Sequence, residues 1–363
     1  MSKIRNKLPL EEMQKEVSHQ QQENLLRPKI LQDYVGQRAV TSRLEVFMKA
    51  AKGRGGVLDH VLLSGPPGLG KTTLAHIVAH EMKGQLHMTS GPTLARPMDL
   101  LSLLSNIQRG DVLFIDEIHR LSTHVEEALY PAMEDFQIQV ILGEGASAQA
   151  VTLPVQPFTL VGATTQAGKL TGPLRDRFGI HLNLDFYELA DMEKILTRSA
   201  GLLGIDLDAK ALAAVAKRSR GTPRIANRLL SRVRDFVEVV DAKSEGLSES
   251  AQIMVAKAAQ ARDQSEAVQA ALDFLEVDEK GLQPLDRAYL KVLIENFNGG
   301  PAGVEALAAS LSEDRRTLEE IVEPFLLKEA LIVRTPRGRQ ACAKGYEHLG
   351  FLAPKEIQTE IPL

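Results

Sequence analysis

Residues 60–74 read His60-Val61-Leu62-Leu63-Ser64-Gly65-Pro66-Pro67-Gly68-Leu69-Gly70-Lys71-Thr72-Thr73-Leu74. An apolar run stops at a glycine-rich turn, and the turn leads into Leu74, Val78 and Met82 at four-residue intervals. The run reads as a buried strand, and the spaced residues as one face of a helix. Residues 65–72 fit G-x-x-x-x-G-K-[ST], and strand before with helix after is the context that pattern needs. Glycines let the backbone wrap phosphate oxygens, while helix N-terminal amides face their charge. Lys71 would supply a cation to the β- and γ-phosphates of ATP, and the Thr72 hydroxyl would ligate Mg2+. A glycine-rich turn that binds nothing would not need both flanking elements.

Working outward, two further buried strands are expected at Val112–Ile115 and Thr159–Gly162, each stopping at a polar turn. Short apolar runs alternate with amphipathic stretches from about Leu26 to Tyr187, which predicts an α/β domain with a parallel sheet. Ligands of such sheets lie beyond the carboxyl ends of the strands. The second run ends in Asp116-Glu117, the pattern of a metal-holding Asp beside a water-activating Glu. His119 follows as either a second base or a structural polar group. The third run ends in Gly162-Ala163-Thr164-Thr165, which offers a hydroxyl to the γ-phosphate.

Phosphoryl transfer also needs positive charge on its transition state, often from an arginine of a neighbouring subunit. Two clusters qualify: Leu174-Arg175-Asp176-Arg177-Phe178 and Arg220-Gly221-Thr222-Pro223-Arg224. Beyond Leu189 the chain turns helical, with Leu229, Val233, Phe236, Val237 and Val240 on one face. Charged stretches at 261–266 and 278–281 suggest a boundary. After it come helices and two short apolar pieces around Arg334–Arg339, an order that suits a small winged-helix module. From Leu331 to Gly345 the basic residues Arg334, Arg337, Arg339 and Lys344 occur without an acid. Such a stretch suits phosphate contacts that hold duplex DNA without reading its sequence.

Composition limits the alternatives. Formal net charge is −4, so any nucleic-acid contact must come from a local patch rather than from overall charge. Aromatic residues are 4% of the chain and tryptophan is absent, which argues against single-strand recognition by base stacking. The single cysteine, Cys342, excludes an intramolecular disulfide. No apolar run approaches the roughly 20 residues of a membrane span, and Met1–Glu23 lacks the apolar core of a signal peptide. Together these predict a cytoplasmic protein.

The order of motifs (phosphate loop, Asp-Glu, threonine strand end, Leu-Arg-Asp-Arg-Phe, Gly-Thr-Pro-Arg) resembles the AAA+ ATPases and, within them, the RuvB family. The most telling strings are Asp116-Glu-Ile-His-Arg-Leu121, Tyr130-Pro-Ala-Met-Glu-Asp135, Pro173-Leu-Arg-Asp-Arg-Phe-Gly-Ile180, Arg220-Gly-Thr-Pro-Arg-Ile-Ala-Asn-Arg228 and Arg334-Thr-Pro-Arg-Gly-Arg339. The likeness runs from about Leu26 to Arg339.

That resemblance implies a flexible arm over 1–24 and a large AAA+ ATPase domain over 25–186, with a hairpin at about 137–153. A helical lid over 187–260, a winged-helix DNA-binding domain over 261–345 and a tail over 346–363 would follow. It implies that Leu26, Arg27, Tyr34 and Val35 enclose adenine, with Tyr187 and Pro223 also lining the nucleotide site. Thr164 or Thr165 would sense the γ-phosphate, Thr164 being the first choice. Arg175 would act in trans, with Arg177 as fallback, and Arg224 would act from the lid. It further implies a hexameric ring that hydrolyses ATP to ADP to drive Holliday-junction branch migration in recombination and DNA repair, working with RuvA and the RuvC resolvase. The hairpin would dock the junction-binding partner. Two positions depart from the family pattern: Gln166 stands where an arginine is expected, and Ala148-Gln149-Ala150 lacks a basic residue. Two other readings compete: an AAA+ protein that remodels proteins or loads clamps, and a nucleotide-switched DNA scaffold without productive turnover.

Overall fold

The computed structural model describes residues 23–142, 149–241 and 263–354, with a few positions between 252 and 261. The chain forms two compact units. One comprises residues up to Ser64, Gly70–Asn183 and Arg198–Asp206, and the other Gly65–Leu69, Leu184–Thr197 and everything from Leu207 onward.

The first unit runs α1 (Arg38–Arg54), β1 (Val61–Ser64), α2 (Lys71–Met82), β2 (Leu86–Ser90), α3 (Pro97–Leu104), β3 (Val112–Asp116) and α4 (Thr123–Glu134). The hairpin β4 (Gln137–Leu142) and β5 (Gln149–Pro154), then β6 (Thr159–Thr164), α5 (Gly172–Asp176) and β7 (Ile180–Asn183), complete it. Five strands make one parallel sheet in the order β2-β3-β6-β1-β7. Successive strand residues face opposite ways. Leu62, Leu113, Ile115 and Leu160 therefore enter one core with Leu100, Leu104, Leu129 and Phe158. Val61, Leu63, Val112 and Phe114 are buried on the opposite face, and Leu44, Met48, Leu74 and Ile77 are buried on α1 and α2.

The three expected strands are present. β2 and β7 were not expected, because Leu86-His-Met-Thr-Ser90 and Ile180-His-Leu-Asn183 alternate instead of forming an apolar run. Only Ile180 and Leu182 of β7 are buried. The edge strand β2 is fastened by Asp111, whose carboxylate accepts from the amides of Gln85 at 2.8 Å and Gln108 at 2.9 Å, and pairs with His87 at 2.9 Å. Burial alone would raise the Asp111 carboxyl, but these amides and His87 outweigh it and hold it below the usual range. The hairpin forms as expected; its turn, 143–148, with Ala148, lies outside the described residues, as do the side chains of 140–150.

The second unit holds α6 (Leu189–Leu203, whose last turns belong to the first unit), α7 (Ala209–Arg218), α8 (Pro223–Asp241) and α9 (Gln264–Phe274). The Phe236 and Phe274 rings meet at 5.2 Å, and the Asp208 amide donates to Gln264 at 2.6 Å. This makes α9 a lid helix. Of the two charged stretches that suggested a boundary, the second therefore marks it, and a division at 260 sits one helix too early.

The winged-helix fold follows with α10 (Pro284–Glu295), α11 (Val304–Leu311), α12 (Arg315–Thr317), a π-helical turn (Leu318–Val322), α13 (Glu323–Lys328), β8 (Ile332–Thr335), β9 (Gly338–Ala341) and α14 (Ala343–His348). Tyr289, Leu290, Leu293, Leu307, Leu318, Leu326 and Leu331 form its core. The expected tail thus begins inside a helix. Among the described residues no helix is long and apolar enough to cross a membrane.

Candidate active site

Sheet order brings the ends of β3, β6 and β1 side by side, and Ser64 lies opposite Thr164. The loop after β1 turns on three glycines with positive φ: Gly65 (136°), Gly68 (79°) and Gly70 (103°). Gly70 also caps α2. A Cβ there would sit 2.6 Å from the Tyr34 hydroxyl, so only glycine allows that approach. Helix α2 begins at Lys71, whose side chain is buried although cationic. A buried lysine at a helix N-terminus behind a Cβ-free cradle fits the charge of a triphosphate. Thr72 follows within the first turn.

Asp116 ends β3, and Glu117 holds a left-handed conformation at φ 46°, a strained state for a side chain with a Cβ. The Glu117 amide donates to the Asp116 carboxylate at 2.9 Å, and Arg120 pairs with the Glu117 carboxylate at 2.6 Å. Among the described residues no group of three or more His, Cys, Asp or Glu could hold a metal unaided. Mg2+ needs only one or two protein oxygens when phosphate oxygens and water complete its shell. Thr72 and Asp116 fit that requirement.

The threonine strand end divides its labour. The Thr164 hydroxyl accepts from the Gln166 amide at 2.9 Å and shares 3.0 Å with His119 Nδ1, so it is occupied. That contact gives His119 a structural partner. The Thr165 hydroxyl oxygen is buried with no hydrogen-bond partner among the described residues. Of the two threonines, it is the one open to an added oxygen.

Still within the first unit, Leu26 and Tyr34 are buried, while Arg27 and Val35 are partly exposed. The Leu26 carbonyl accepts from Arg198 at 2.7 Å, a contact that sequence reading did not find. Arg175 is exposed on α5. Arg177 instead folds back, lying 4.1 Å over the Tyr130 ring and 3.2 Å from the Glu134 carboxylate.

In the second unit the lid touches the loop segment 65–69. The Tyr187 hydroxyl donates to the Leu69 carbonyl at 3.2 Å, and the Arg224 amide donates to the Gly68 carbonyl at 3.4 Å. Pro223 begins α8, where its missing amide costs no hydrogen bond. The Arg224 side chain is exposed.

The wing corrects the picture drawn from its sequence. In β8 and β9 Arg334 lies opposite Arg339, with Pro336-Arg337 at the turn. The stretch has no acid along the chain, but Glu319 and Glu323 meet it in space. Glu323 is fully buried and accepts from Arg334 Nε at 2.8 Å, Arg339 Nε at 2.9 Å and the Tyr289 hydroxyl at 2.9 Å. Arg339 also reaches Glu319 at 2.9 Å. Burial and the neighbouring carboxylate push the Tyr289 phenol far upward, so it stays a donor. Arg337, at the tip, is exposed.

Three family models match consecutive parts of the chain. They describe the Holliday junction DNA helicase RuvB P-loop domain (residues 26–184), the RuvB AAA lid domain (187–278) and the RuvB C-terminal winged helix domain (279–350). A solved structure of a Thermotoga maritima RuvB mutant is 47% identical, with a TM-score of 0.80, over 90% of this chain and 100% of that one. This chain belongs to the RuvB family. A second Thermotoga structure, described as the RuvB Holliday junction branch migration motor, is likewise 47% identical with a TM-score of 0.79 over 91% and 100%. The RuvB fold accounts for all three parts described above: P-loop domain with a parallel sheet, helical lid and winged helix.

Proposed function

We propose that this RuvB-family chain hydrolyses ATP to ADP and phosphate and uses the cycle to drive duplex DNA through a hexameric ring at Holliday junctions. The observation that carries the reading is the meeting of three adjacent strand ends. They bring the Gly70–Thr72 cradle, the Asp116-Glu117 pair and the Thr165 hydroxyl to one edge of the sheet. Family membership supports RuvA as junction-recognising partner, RuvC as resolvase and a cytoplasmic site of action.

In this mechanism the amides of the phosphate loop and Lys71 Nζ hold the β- and γ-phosphates. Thr72 and Asp116 would hold Mg2+, which would supply positive charge to the phosphate oxygens. Glu117 takes a proton from the attacking water as its oxygen bonds the γ-phosphorus and the bond to the β–γ bridging oxygen breaks. For that, the Glu117 carboxylate must turn from Arg120. Thr165 rather than Thr164 contacts the γ-phosphate, since the Thr164 hydroxyl is occupied. Arg224 acts from the lid, and the trans-acting arginine is drawn from Arg175 and Arg177. Leu26, Arg27, Tyr34 and Val35 enclose the base.

The test is ATP-dependent dissociation of a synthetic four-way DNA junction, with and without RuvA. The expected result is dissociation that needs ATP and Mg2+, is lost in Lys71→Ala, and is lost in Glu117→Gln with nucleotide binding retained. ATP turnover with no junction dissociation under either condition would overturn the motor reading. Rings doped with Arg175→Ala or Arg177→Ala subunits separate the two arginines: the trans residue is the one whose minority presence slows the whole ring.

A further inference from the structure

One buried ion pair lies outside the residues assigned above to hydrolysis and to duplex contact. Arg220 and Asp286 are 5% and 4% exposed and pair through both guanidinium amino groups, one of them at 3.3 Å. Arg220 Nε also donates to the Gly281 carbonyl at 2.6 Å, and the guanidinium lies 4.9 Å over the Phe325 ring. Asp286 in turn caps α10 by accepting from the Gln283 amide at 2.7 Å. One lid side chain is thus fixed to three separate parts of the winged-helix fold.

On its other side Arg220 adjoins the loop that reads the nucleotide. Gly221 has φ 63°, and a Cβ on it would lie 2.6 Å from the Tyr187 carbonyl. The Tyr187 amide closes the contact by donating to the Gly221 carbonyl at 2.9 Å. Tyr187 and Arg224 then reach the Leu69 and Gly68 carbonyls. In the opposite direction Phe325 stands two residues from Glu323, the anchor of Arg334 and Arg339. The contacts are continuous from phosphate loop to wing, all within one compact unit.

We propose that Arg220 is a positioning residue that couples nucleotide to DNA. Through Asp286 it ties the stance of the 220–224 loop to the wing, so the affinity for duplex depends on the nucleotide bound. The proposal rests on the function proposed above. Its physical basis is that a buried ion pair adds little net stability but demands one geometry, whereas an apolar joint tolerates sliding. Linkage then requires duplex to change nucleotide affinity by the same factor.

The experiment compares full-length wild type, Asp286→Asn and the Arg220→Gln/Asp286→Asn double variant, which replaces the ion pair by a neutral amide pair. Duplex dissociation constants are measured with a non-hydrolysable ATP analogue and with ADP, beside basal turnover without DNA and a thermal melt. Wild type should show a ratio of at least about five-fold between the nucleotide states, within the usual range of coupling. Each folded variant should fall to within about two-fold of unity while basal turnover stays within the same margin. A variant that keeps the ratio overturns the proposal, as does one whose basal turnover falls in step with the ratio. Hydrogen exchange of wild-type residues 332–341, with and without the ATP analogue, tests the same coupling with no substitution, and an unchanged rate overturns it. Wild type that binds duplex and turns over ATP with a ratio of one defeats this inference alone. Wild type that does neither defeats the functional reading as well.

Discussion

The phosphate loop and the wing tip are both short, glycine-bearing turns with basic side chains, yet their chemistry is fixed at different ranges. In the loop almost everything is local: Gly70 caps the helix that Lys71 begins, and the site is written in consecutive residues. In the wing the decisive residues lie elsewhere in the chain. Glu319 and Glu323, from the helical stretch preceding β8, occupy two of the three arginines that the chain alone presents as free cations. A run of like charge in sequence is therefore weak evidence for like charge in space, whereas a backbone motif largely carries its own context.

The strongest break of this contrast is Glu323→Gln. It leaves a neutral amide beside Arg334, whose side chain is 47% exposed, and Arg339, which keeps Glu319; breaking a fully buried pair costs about 3–5 kcal/mol, and solvent at Arg334 lowers that figure. A winged-helix melting transition lowered accordingly, with ATP affinity unchanged, is the expected outcome of calorimetry combined with nucleotide titration. Unchanged stability would mean that the arginines are held mainly by solvent. Next in size is Gly70→Ala. It combines a left-handed backbone with a Cβ against Tyr34, and such strain is worth about 1–3 kcal/mol, or roughly five- to 150-fold in nucleotide affinity. Equal ATP affinity in a fluorescence titration would show that the loop is not the cradle. The smallest effect is Arg337→Ala, expected to weaken duplex binding uniformly across sequences and to lower the salt slope by about one. Its melting temperature should match wild type, while Arg339→Ala should lower it. If Arg337→Ala leaves the slope unchanged, duplex contact lies off the wing tip.

How legible each region was follows from the same distinction. The strands β1, β3 and β6 are buried on both faces and read as apolar runs, so the heart of the sheet could be placed from sequence. The strands β2 and β7 alternate, and only their register beside β3 and β1 reveals them. Lys71, Asp116 and Glu117 were legible because each sits at a strand-to-helix or strand-to-turn junction. Thr164 and Thr165 are chemically identical neighbours, and only the partners His119 and Gln166 distinguish them. A boundary at 260 is too early because the charged stretch at 261–266 is the capped start of α9, with Asp263 as its cap; Phe236 is what claims that helix for the lid.

The π-helical turn Leu318–Val322 has a consequence for how this region can vary. It separates Glu319 from Glu323 inside one continuous helical stretch and holds an extra residue relative to an α-helical turn. Deleting a single residue there would restore ordinary winding with little loss of length. A π-turn closes with one residue more than an α-turn, so everything downstream would keep nearly the same facing. Glu323 and Phe325 would then still meet the arginines they face. A one-residue deletion within this turn should therefore be tolerated far better than one in the α-helical residues that follow, which the wing would register as a loss of phase.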